Sequence, residues 1–169
     1  MNNKEKVIGE IQQAHKELKN VLQSLRPSQL TEVKITEEWN IKDVISHLAA
    51  WNWEVNDEID RVLTNHATWP KRYESGRGED EFNKIQVEKR KGKTIDEIIQ
   101  EWEDSYRALI EKLTSLTEEQ WIHKSGNQKW TEGKLKGKSV TVFSLFDYEY
   151  EGKSHEAGHT NQIIKHFTK

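Results

Sequence analysis

Four long apolar stripes, each stepping by three and four residues, commit this chain to a bundle of helices. The first is Val7, Ile11, Ala14, Leu18, Val21 and Leu25, which predicts a helix over about 3–25 that Pro27 stops. The second is Ile41, Val44, Leu48, Trp51, Val55, Ile59 and Val62, predicting a helix over 41–63 with Asn40 as N-cap and Asp43 at its third position. The third opens on Thr94-Ile95-Asp96-Glu97, a capping box, and continues through Ile98, Trp102, Leu109, Leu113 and Leu116. The fourth is expected over about 140–167 with Ser139 as cap, and carries Val142, Leu145, Phe146, Ile163 and Phe167. Gly152 and Gly158 weaken that last helix and place a break or a close approach near 152. The expectation is an all-α four-helix bundle forming one domain over 1–169.

The connection from 64 to 93 is too long for a hairpin. It holds Trp69-Pro70, Gly76, Gly78 and a short helical stretch around Glu79 to Arg90, which suits a crossover between the second and third helices. Hydrophobic and charged residues each make up 33% of the chain, as expected of slim helices that bury one stripe and solvate the rest. Seven tryptophans add buried area, and their excess over the needs of one slender core predicts a homodimer. The net charge of −3 lacks the basic footprint of a nucleic-acid binder, and the lysine runs at 89–93 and 129–138 read as solvated surface. No apolar run of membrane length and no leader pattern occurs, so the expected location is cytoplasmic, away from membranes. Cysteine is absent, which excludes disulfides, thiolate ligands and a cysteine nucleophile.

One spacing occurs twice. Leu30 precedes Trp39 by nine residues after the first long helix, and Trp121 precedes Trp130 by nine after the third. This reads either as a duplicated helix–loop–helix unit or as shared capping chemistry. In both readings Trp39 and Trp130 anchor loops onto the bundle.

The chemistry lies in histidines. His155 and His159 are four apart on the fourth helix, which puts both rings on one face, a spacing that can bind one metal ion. His47 lies between Val44 and Trp51 on the inward stripe of the second helix, where it is either a satisfied core residue or a partner for that pair. His15 borders the first seam and reads as packing beside the same cavity.

Two segments carry a resemblance. Trp39-Asn40-Ile41-Lys42-Asp43-Val44-Ile45-Ser46-His47-Leu48 resembles the second-helix signature of the DinB/YfiT-like superfamily, and His155-Glu156-Ala157-Gly158-His159-Thr160-Asn161-Gln162-Ile163 resembles its last-helix signature. The resemblance implies a bundle with a long crossover and a divalent metal, nickel or zinc, on His47, His155 and His159. The resemblance also implies a thiol-dependent transferase or isomerase with an external low-molecular-weight thiol. With the water-activating chemistry of a three-histidine metal, the expectation is a thiol S-transferase or a hydrolase acting on a small electrophilic molecule. The stretch from Trp39 to Trp130 is also similar to the related ClbS/DfsB-like bundles, which need no metal, so non-catalytic sequestration of a small molecule is the alternative. Glu54, two turns after His47, and Glu151, one turn before His155, are each placed to be an outer partner of a ligand, a general base, or a solvated helix glutamate.

Overall fold

The computed structural model describes residues 3–73, 77–147 and 154–168. Four long helices dominate them: α1 (Asn3–Ser24), α3 (Ile41–Leu63), α6 (Ile95–Ser115) and α9 (His155–Phe167). Between them lie α2 (Pro27–Thr31), α4 (Trp69–Arg72), α5 (Arg77–Lys89), α7 (Glu118–Trp121) and α8 (Val142–Leu145). The architecture is an all-α bundle, with no strand among the described residues beyond two isolated bridges. No described helix is long and apolar enough to cross a membrane.

Side-chain pairs fix the directions of the long helices. Asn52 meets Ser105 and Asp60 meets Lys112, so α3 and α6 run parallel. Parallel neighbours cannot be joined by a tight turn, and residues 64–94, with α4 and α5, supply the crossover. His15 meets Glu103 while Lys4 reaches the carbonyl of Leu116, so α1 runs antiparallel to α6. One half of the core joins Val7 of α1 to Val55, Ile59, Leu109, Leu113 and Trp121. The other half joins Leu18 and Leu22 to Ile41, Val44, Ile98, Trp102 and Ile163, which brings α9 back along α1.

Helix boundaries follow local chemistry. Asn40 Oδ1 accepts the Asp43 N–H at 2.9 Å and Asp43 reaches back to the Asn40 N–H at 3.2 Å. Thr94 and Glu97 form the same reciprocal box at the start of α6. Thr94→Ala is therefore expected to lower stability by about 1 kcal/mol, read as a shift of the urea midpoint with an unchanged slope.

The fourth helix departs from the sequence expectation. Thr141, not Ser139, caps α8 by accepting the Ser144 N–H, and Ser139 instead pairs with Lys129 in a β-bridge. Helix α8 closes at Phe146, whose N–H turns back to Phe143, and α9 starts afresh after Ser154 in extended backbone. Gly152 lies outside the described residues.

The repeated spacing has a structural counterpart. α1 is followed by a short helix, then by the Lys34–Asn40 bridge, then by a capped helix start. α6 is followed by α7, the Lys129–Ser139 bridge and the capped start of α8. Trp39 packs on the second core half and Trp130 on the first, where its indole N–H donates to Ser144 Oγ at 2.9 Å.

Candidate metal centre

His47 sits mid-helix on α3, where the stripe that buries Val44 and Leu48 also turns its ring inward; it is 5% exposed. Trp39 and Trp51 flank the ring, with centroids at 5.1 and 6.4 Å. On α9, His155 opens the helix and His159 follows one turn later. Ile163, fully buried, seats this helix in the core, and the Trp102 indole N–H donates to Glu156 Oε2 at 3.3 Å, fixing its first turn against α6.

The structure brings the three histidines together. Nε2 of His47 and Nε2 of His155 are 2.8 Å apart, and one nitrogen from each ring lies within 4.8 Å of the others. Tetrahedral bonds of about 2.0–2.1 Å to zinc require nitrogens roughly 3.3–3.4 Å apart, a spacing inside that range. His159 Nδ1 is 3.1 Å from Gln162 Oε1, an acceptor only, so in this pairing Nδ1 carries the proton and Nε2 is the nitrogen with a lone pair.

Burial, and then the neighbouring His159, lower the His47 pKa from 6.5 to about 3, opposed by Asn83. Burial, then His47 and His159, hold His155 well below the ordinary imidazole range. Both rings are thus neutral at pH 7, the state in which imidazole offers a lone pair to a metal. Three convergent imidazole nitrogens without a carboxylate are the donor chemistry of a transition metal and not that of calcium or magnesium.

The triad lines a cavity of about 840 Å³ with Trp51, Trp69 and Trp130 in its walls. Glu54 lies elsewhere in the network. Its Oε1 accepts Arg61 Nη2 at 2.6 Å, Arg72 Nη1 at 2.9 Å and the Trp69 indole N–H at 3.4 Å. The fully buried Glu58 accepts the Thr68 N–H at 2.6 Å, the Thr68 hydroxyl at 2.9 Å, the Trp69 N–H at 3.1 Å and Arg61 Nε. These two glutamates hold α4 against α3 and so set the position of the cavity wall. Glu151 lies outside the described residues.

Sequence reasoning passed over Glu156. It lines the cavity beside His155, and its Oε1 is 3.3 Å from His15 Nδ1. His15 is buried, stacked between Trp102 and Tyr106 at 4.0 and 3.6 Å, and its Nε2 is 3.1 Å from Glu103 Oε2. The only sequence signal for Glu156 was its place between the two histidines of α9.

These features define the chain as a helical bundle built around a cavity with a histidine cluster. Residues 11–135 match the mycothiol maleylpyruvate isomerase N-terminal domain family, and the chain belongs to that family, part of the DinB/YfiT-like helical superfamily. The matched span contains His47 and ends before α9. A crystal structure of an uncharacterised protein from Escherichia coli UTI89 shares the fold, with a TM-score of 0.74 and 12% identity over 98% of this chain and 92% of that one. No curated protein matches the chain.

Proposed function

We propose that this protein binds one zinc or nickel ion on His47, His155 and His159 and acts on a small electrophilic molecule in the adjoining cavity, as a thiol S-transferase or a hydrolase. The observation that carries the reading is the convergence of three imidazole nitrogens, from two helices, at the cavity wall. A divalent ion held by these three imidazoles would supply Lewis acidity toward an oxygen or sulfur donor.

The chain's own residues divide the remaining work. Gln162 holds His159 in the tautomer that presents Nε2. Trp51, whose indole N–H is tied to Asn83 Oδ1 at 2.7 Å, keeps water from one side of the cluster. The Glu156 carboxylate is placed to accept a proton in the cavity, with His15 beside it. With no cysteine in the chain, a sulfur nucleophile comes from a small external thiol.

The cavity's aromatic walls also favour a second reading, tight binding of a small molecule without turnover, as in the ClbS/DfsB-like bundles. Turnover in a screen that pairs low-molecular-weight thiols with electrophiles separates the two.

The metal claim has its own test. Titration of the untagged, metal-stripped protein with zinc or nickel should show one ion per chain. Gln162→Ala should weaken binding by about 10–100-fold, the usual cost of losing an outer partner. Failure of the wild type to retain either ion in a chelator competition would overturn the reading.

A further inference from the structure

The cavity has a second chemical character, set by α4 and α5 rather than by the histidines. Trp51 stands between the two regions. Its ring is 6.4 Å from both His47 and His155 on one side, and 5.7, 5.1 and 4.6 Å from Trp69, Tyr73 and Phe82 on the other. Trp69 meets Trp51 at 90° and Tyr73 meets Phe82 at 76°, while Trp51 is tilted by 59° and 52° to Tyr73 and Phe82. The four rings pack together, and Trp51, Trp69 and Tyr73 face the cavity as its wall.

Two carboxylates flank that wall. Glu79 and Asp80 belong to the first turn of α5 and line the cavity. Glu79 is three residues before Phe82 and four before Asn83, the acceptor of the Trp51 indole, so helical spacing stacks it directly beside the aromatic face. No ion pair among the described residues involves Glu79 or Asp80. Burial, and then the neighbouring Asp80, raise the Glu79 carboxyl above its usual range, a cost that a cation placed there would relieve.

The remaining lining has the same sign. Among the described residues, six carboxylates line the cavity against one lysine, Lys134, whose ammonium lies 2.8 Å from Asp147. No arginine lines it, and Arg72, whose guanidinium lies over the Tyr73 and Phe82 rings at 5.4 and 6.0 Å, is paired with Glu54 at 2.9 Å. A substrate carrying carboxylate or phosphate groups would meet six carboxylates and, apart from the proposed metal, one lysine that already pairs with Asp147. An organic cation would find aromatic faces and two carboxylates together.

We infer that the substrate is an organic cation with an apolar body, whose ammonium-type head sits on the Trp51–Trp69–Tyr73 wall beside Glu79 and Asp80 while its other end reaches the histidine cluster. This rests on the reading of the cavity as the substrate site, but not on the metal being bound.

The test is a tryptophan-fluorescence titration of the full chain, zinc-loaded and metal-free, with three probes of one shape: phenethyltrimethylammonium, 2-phenylethanol and 3-phenylpropionate. The quaternary head cannot ligate a metal, so its binding reports the wall alone. The ammonium should bind about tenfold tighter than the alcohol in both metal states, as cation–π contact and carboxylate attraction together allow. Double substitution Glu79→Gln with Asp80→Asn should reduce that preference to about twofold, leave alcohol binding unchanged, and leave zinc affinity unchanged. On the wild type alone, raising the salt from about 0.05 to 0.5 M should weaken the ammonium and not the alcohol. Equal binding of ammonium and alcohol, or a preference that survives the double substitution, would overturn the inference. A chain that prefers the ammonium but holds no zinc would leave this inference standing and remove the metal reading instead.

Discussion

Replacing His155 with alanine is expected to cut zinc affinity by well over a hundredfold while leaving the bundle folded. Loss of an outer partner alone costs about 10–100-fold, and His155 is an inner one, so the drop should exceed that range. Two remaining nitrogens, on His47 and His159, hold a divalent ion poorly. The fold should survive because α9 is anchored away from the site, through the fully buried Ile163 and the core half shared with Leu18, Leu22 and Trp102. Removing the ring also removes a contact of 2.8 Å between the half-buried His155 imidazole and the buried His47 imidazole. Isothermal titration with zinc reads the first effect, and a urea melt of the metal-free protein reads the second. Wild-type zinc affinity in His155→Ala would place the third ligand elsewhere. Complete unfolding of the wild type on metal removal would make the ion a structural clip.

The same experiment bears on the carboxylates named from sequence. Glu54 is held by two arginines and an indole, so its replacement is expected to loosen α4 and the aromatic wall. Nothing in its sequence surroundings announced this. Arg61 lies seven residues further along the same helix face, but Arg72 arrives only through the turn that follows α3. Pairings of that kind are set by how a connection folds back, which no periodicity records.

What was legible in the sequence was what is local. The stripe from Ile41 to Val62 gave the limits of α3 because Asn40 and Asp43 close its start by a reciprocal bond that needs only two residue types at a fixed spacing. The length of the 64–93 connection announced a crossover, and parallel α3 and α6 require one. The inward placement of His47 followed from its neighbours Val44 and Leu48, and the pairing of His155 with His159 from helical pitch. The last helix was misjudged over 140–147 because α8 is a single turn whose apolar residues, Val142 and Leu145, have the spacing of a longer helix. The short α2 and α7 were passed over for the same reason in reverse, since one turn is too brief to show a period. The stacking of His15 between Trp102 and Tyr106, and its contact with Glu156, join α1, α6 and α9, and only the assembled bundle shows them.

Mild acid is expected to destabilise the metal-free protein steeply, in a window where most proteins are indifferent. His47 titrates at about 3 in the folded chain against 6.5 in the unfolded one, and His155 is likewise held well below 6.5. Below pH 6.5 the unfolded chain takes up two protons that the folded chain refuses, so each unit of falling pH costs up to about 1.4 kcal/mol per group, or roughly 2.7 kcal/mol for both. The contribution is fully present above pH 6.5 and is lost progressively as pH falls toward the folded-state values. Glu79, raised above the usual carboxylate range, acts in the opposite sense and offsets part of the loss toward the lower end of this window. Glu101 and Glu103, which their basic neighbours hold below the usual range, add their own loss only nearer pH 4 and beneath it. Urea melts of the metal-free chain at pH 7, 6, 5.5 and 5 should therefore show a stability that falls with a limiting slope near that of two protons. His155→Gln keeps a polar group of similar reach but cannot titrate, and should reduce the slope to about 1.4 kcal/mol per pH unit. A flat profile between pH 6.5 and 5, or a slope unaltered by His155→Gln, would mean that the cluster is not the dry, neutral set of imidazoles on which the metal site depends.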